Sequence, residues 1–130
     1  MALTNYAEKK ILDHLVGKAA FTMPTAYVAL YTSVPNEDGT GGVEVSGGGY
    51  SRMQTSPSDW EDAAEGGIQN AVNLEWDAST ADWGTIVGIA LVDASTSGNV
   101  LVRGEAVAQK TIESGDMFRI SAGNLVLSLD

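Results

Sequence analysis

Two periodicities divide the chain. Over Asn5 to Val16, apolar Ala7, Ile11, Leu12, Leu15 and Val16 recur at helical spacing, with Glu8, Lys9, Lys10 and Asp13 mostly on the other side. Asn5 is placed to cap this helix, Glu8 follows three residues later as in a capping box, and Gly17 is placed to end it. A helix of about three turns is marginal alone, so its stripe must dock on its own domain or on a neighbouring subunit. From Thr25 onward, short β-type runs alternate with Gly, Ser, Asn and Asp punctuation. The pattern predicts strands at Ala26–Thr32, Tyr50–Thr55, Ile68–Trp76, Thr85–Asp93, Val100–Ala106, Met117–Ser121 and Leu125–Leu129, with a short one at Val43–Ser46. The nearly unbroken apolar run Ile86–Val92 belongs in the middle of the domain with both faces covered, whereas Val100 and Val102 and the final leucines alternate against one side of a core. The segment from Ser56 to Gly67 is the least patterned and reads as a long surface loop.

Strands at this spacing, without crossover helices for a parallel sheet, predict a mostly β fold: a single jelly-roll-like antiparallel β-sandwich with one N-terminal α-helix. The expected organisation is a helical arm over residues 1–18 and a sandwich domain over 19–130. A chain of 130 residues is long enough to bury a core without disulfides or metal, and cysteine is absent. Its 17 acidic residues against 7 basic ones give a net charge of −10, with no basic patch, which argues against direct nucleic-acid binding. No run approaches the roughly 20 apolar residues of a membrane span, and the N-terminus has no basic-then-apolar leader pattern.

Catalytic constellations are missing from the pattern. His14 is the one histidine and sits beside Asp13, whose side chain diverges from it on a helix, so it reads as a structural residue. The triplet Gly47-Gly48-Gly49 leads into Tyr50-Ser51-Arg52, a strand-like sequence, and lacks the Gly-Lys-Ser/Thr and following helix of a phosphate loop. It reads instead as a place needing positive φ or close backbone approach. Acids at Glu37-Asp38 and at Asp59, Glu61, Asp62 and Glu65 lack EF-hand spacing and read as solvated loops. The sequence thus predicts no catalytic residue, no cofactor site and no metal site. Of the three tryptophans, Trp76 and Trp83 are expected to pack, and Trp60, in its acidic loop, is the better candidate for an exposed contact.

The order of the Asn5-Tyr6-Ala7-Glu8 helix start, Tyr27–Thr32, the loop Pro35–Gly42, Glu44–Arg52 and Trp83–Ala90 resembles a family of small tailed-bacteriophage virion proteins labelled tail-fibre-like or head-decoration proteins. The resemblance runs over nearly the whole chain and rests on glycines and aromatics. It implies a non-enzymatic cement or decoration protein on the outside of a phage head, assembled in the host cytoplasm. Its partner would be the major capsid protein, and it would be a homo-oligomer, dimer or trimer, contacting neither nucleic acid nor membrane. The alternative it leaves open is a tail or tail-fibre module that binds a carbohydrate or receptor through Trp60 and nearby acids. The residues expected at a partner interface are Leu3, Tyr6, Ile11, Leu12, Leu15, Tyr50, Arg52 and Trp60.

Overall fold

The computed structural model describes residues 1–129. The elements in chain order are β1 (Ala2–Leu3), α1 (Asn5–Leu15), β2 (Tyr27–Ser33), β3 (Val43–Glu44), β4 (Met53–Gln54), β5 (Gly67–Gln69), β6 (Leu74–Glu75), β7 (Gly84–Val92), β8 (Val100–Ile112), β9 (Arg119–Ile120) and β10 (Val126–Ser128). A six-stranded antiparallel sheet runs in the order β1-β8-β7-β2-β3, with β4 sharing the β2 edge. Two small antiparallel pairs, β5 with β10 and β6 with β9, accompany it. The mostly β, antiparallel, sandwich-like architecture with one α-helix is the one that the spacing of strand-like runs predicts.

The apolar run at the centre of β7 explains the layering. Ile86, Ile89 and Leu91 join Val28, Leu30, Leu74, Trp76, Phe118 and Leu125 in the main core, while Ala90 and Val92 join Ala29 and Tyr31 on the opposite face. Both faces are therefore covered, as expected. Small residues are required on the second face because the loop after β2 folds back over it: a Cβ on Gly88 would lie 2.8 Å from Val34 Cγ2.

Local bonding moves several boundaries. The helix cap is Thr4 and not Asn5: Thr4 has extended backbone and its hydroxyl accepts the Ala7 N–H. Thr4 is also fully buried, and the same hydroxyl donates to the Val100 carbonyl at 2.6 Å. With Ala2 and Leu3 paired to Arg103 and Val102, and the Asn5 N–H on the Glu37 carbonyl, residues 2–5 are laced to the sheet domain. The expected strand Ile68–Trp76 is two strands separated by Asn70. That buried side chain accepts from the Leu125 N–H and donates to the carbonyls of Val72 and Ser121, so it bends the chain and knits the two small sheets. The expected strand Tyr50–Thr55 is reduced to β4. The expected strand Val100–Ala106 continues instead to Ile112 as β8.

Candidate functional site

The glycine-rich stretch comes first because it is the sequence's most conspicuous feature. Gly47, Gly48 and Gly49 all have positive φ, at 72°, 60° and 79°, as a turn that folds onto an indole requires. The Gly48 carbonyl accepts from Trp83 Nε1 at 2.9 Å and from the Thr80 N–H, and a Cβ on Gly48 would lie 2.9 Å from Trp83 Cδ1. The turn therefore grips a buried tryptophan with its carbonyl, and Tyr50 packs edge-on to the same ring at 5.5 Å.

The next residues close a polar knot. The Tyr50 hydroxyl donates to Glu44 Oε2 at 2.7 Å and accepts the Leu30 N–H at 3.0 Å. Arg52 grips Glu44 with two bonds of 2.9 Å, from Nε and Nη2, and its Nη1 donates to the carbonyls of Ala94 and Ser97 at 2.8 Å each. Burial raises the Glu44 pKa, but the hydrogen bonds from Arg52 and Tyr50 and the guanidinium charge outweigh it and hold the carboxyl below its ordinary value. The Glu44 hydrogen bond raises the Arg52 pKa. Burial and then the Glu44 contact push the Tyr50 hydroxyl well above its usual range, so it remains a donor. Of the residues expected at a partner interface, Tyr50 and Arg52 thus direct their polar groups inward, and the Arg52 side chain is 10% exposed.

The helical residues occupy a different face. Leu3 and Ile11 line an apolar recess of about 240 Å³ together with Ile68, Val102, Leu127 and Leu129. Leu12 and Leu15 project beside it, 62% and 72% exposed, with Val16 also exposed. Tyr6 is partly buried, its ring 5.6 Å from the Lys10 ammonium. Trp60 stands apart: it is half-buried against the core, bridges to Asn70, and its Nε1 donates to Thr55 Oγ1 at 3.1 Å. Trp76 and Trp83 are core residues, as expected, and the Trp76 Nε1 donates to the Ser51 carbonyl.

The remaining chemical candidates have local roles. His14 Nδ1 accepts the Phe21 N–H and so ties down the chain after the helix. Asp38 accepts from the N–H and hydroxyl of Thr40, hydrogen bonds that lower its pKa. Asp59 closes a capping box with Ser56, and Glu61 accepts from Gln69. Among the described residues, no three His, Cys, Asp or Glu side chains are grouped to hold a metal ion.

One feature escapes sequence reading: a pocket of about 460 Å³ between the second half of β8 and the segments around β9 and β10. No local periodicity marks it, since consecutive residues from Glu105 to Lys110 all line it.

A search of curated proteins finds no match. The model of one family, described as podophage GP4 fiber I protein gp80, matches residues 2–128. The chain belongs to that family of phage virion structural proteins.

Proposed function

We propose that the protein is a non-enzymatic fibre subunit that joins the particle by burying its α1 face on a neighbouring subunit, as a homo-oligomer of two or three copies. The carrying observation is the exposed stripe of Leu12, Leu15 and Val16 beside the recess that holds Leu3 and Ile11. Apolar side chains projecting next to an apolar recess give a contact its dehydrated centre. The fibre description of the family supports placement on a fibre. The net charge of −10 favours a second reading, a head decoration protein bound to the major capsid protein, because like charge on an outer surface keeps particles apart.

Copy number separates the two readings. Quantitative mass spectrometry of purified particles should give a handful of copies, or a small multiple of one ring, for a fibre. A count in the hundreds would reject the fibre placement in favour of a capsid lattice. Loss of host adsorption with intact head stability in particles lacking the protein is the expected companion result. Genome release on mild heating would point to decoration.

A further inference from the structure

Helix α1 carries a knob, a hole and two unpaired charges on one part of the surface. Ile11 turns into the apolar recess with Leu3, Ile68, Val102, Leu127 and Leu129. Leu15 stands one turn further along the same stripe and Leu12 beside it, 72% and 62% exposed. Glu8 sits one turn before Leu12. Past the other end of the helix, Gly17 takes φ of 75° and the Lys18 N–H returns to the Asp13 carbonyl, so the Lys18 backbone is pinned against the last turn. Glu8 and Lys18 are both exposed, and among the described residues neither joins an ion pair, whereas Lys9 is held by Asp13 and Lys10 lies over the Tyr6 ring.

The knob fits the hole, and the acid fits the base, only across two copies. A second α1 laid antiparallel on the first, with its Lys18 facing Glu8, brings its Leu15 to about the level of Ile11, because Ile11 lies three residues after Glu8 and Leu15 three before Lys18. Charge and shape thus select the same register from separate observations. In that register Leu15 of each copy comes to the mouth of the other's recess. An apolar cavity of about 150 Å³ takes up benzene, so a recess of about 240 Å³ has room for a leucine side chain.

A two-fold pair makes each of these contacts twice, because an isologous interface joins the same patch on both subunits. A ring of three copies joins two different patches head to tail, and it leaves the complementarity within one face without a use. An unrelated partner needs the knob or the hole, and not both in matching register.

We propose that the chain pairs with a second copy of itself through antiparallel α1 helices about a two-fold axis, with Leu15 of each copy seated in the recess beside Ile11 of the other and Glu8 facing Lys18 at both ends. The proposal rests on the reading of α1 as the buried face of a particle subunit and adds what covers that face.

The chain has no cysteine, so introduced thiols report contacts without background. Glu8→Cys and Lys18→Cys, each in the full chain, are purified singly and after co-expression, then treated with a short bismaleimide. The co-expressed pair should give at least about tenfold more cross-linked dimer than either variant alone, since the pairing sets position 8 against position 18 and never against itself. In sedimentation velocity, Glu8→Lys and Lys18→Glu should each weaken self-association about fivefold, and the two together should restore it to within about twofold of wild type. Cross-linking by one variant alone at the level of the mixture overturns the antiparallel pairing. So does a charge-swapped double variant that associates no better than the single ones, or a wild type that stays monomeric up to about 1 mM. Each of these leaves the subunit reading standing as long as Leu12→Ser with Leu15→Ser lowers particle occupancy. Normal occupancy of that variant sinks the reading of α1 and the pairing with it.

Discussion

The Glu44–Tyr50–Arg52 knot and the α1 face with its neighbouring recess are built on opposite principles. In the knot, Arg52 makes five hydrogen bonds' worth of commitments with Tyr50 around one carboxylate and two loop carbonyls, and the glycine turn closes on Trp83. On the other surface, Leu12 and Leu15 project into solvent beside a recess lined by apolar side chains. Unusual residues mark the first region, and exposed apolar side chains mark the second. A motif that looks functional in sequence is here the device that clamps β2, β3 and the loop after β7 together. The exposed apolar side chains lie elsewhere, on α1.

The comparison breaks most sharply at Arg52. Arg52→Ala leaves the Glu44 carboxylate, which is 24% exposed, without its cation and frees two carbonyls, and should destabilise the fold by about 3 kcal/mol in urea unfolding. Arg52→Lys should recover only a minor part, because an ammonium cannot span both carboxylate oxygens and two carbonyls at once. A loss below about 0.5 kcal/mol for the alanine variant would mean that the knot is incidental and Arg52 is free for a partner.

Gly48→Ala should cost about 2 kcal/mol or more, since it combines φ of 60° with a Cβ 2.9 Å from the Trp83 ring. Gly47→Ala is the control: its φ is 72° but a Cβ there would meet nothing within 4 Å, so only the backbone penalty of about 1 kcal/mol remains. Equal losses at the two positions would show that closeness to Trp83 contributes nothing.

The sequence exposed the fold class because apolar alternation and the β7 run are properties of single strands. It exposed the helix for the same reason, and missed its cap because Thr4 and Asn5 are both good capping residues. Only the long-range bond from Thr4 to Val100 decides between them. The split at Asn70 depends on Ser121 and Leu125, about 50 residues away, and no local pattern carries that information. The knot was legible as a glycine requirement but not as an ion pair, since Glu44 and Arg52 sit eight residues apart and meet only after the turn forms. Leu12 and Leu15 were legible as apolar, and the structure adds that they face solvent. The pocket beside β8 was not legible, because its walls come from β8, β9 and the segment before β10, which meet only in the fold.

A weaker test of the knot is acid. The folded-state pKa of Glu44 lies below its unfolded value of about 4.5, so its contribution is fully present above that pH and is lost as pH falls through the folded value. The wild type should lose more stability than Glu44→Gln between pH 6 and about pH 3, measured by urea unfolding at each pH. Parallel stability profiles for the two proteins would remove Glu44 as the source of the acid sensitivity.

The smallest stability effect belongs to the other region, and it is the one that separates holding the fold from meeting a partner. Leu12 and Leu15 are 62% and 72% exposed, so Leu12→Ser with Leu15→Ser gives up little burial within the chain. Surface changes away from packed or hydrogen-bonded groups usually stay within about 0.5 kcal/mol, and the double variant should unfold close to wild type. Its incorporation into particles, measured by quantitative mass spectrometry against the major structural proteins, should nevertheless fall by at least about tenfold, because in the proposed contact the same side chains supply the apolar centre. If instead the variant is incorporated normally and loses stability, α1 is a domain element alone, and the contrast between the two regions fails at the helix.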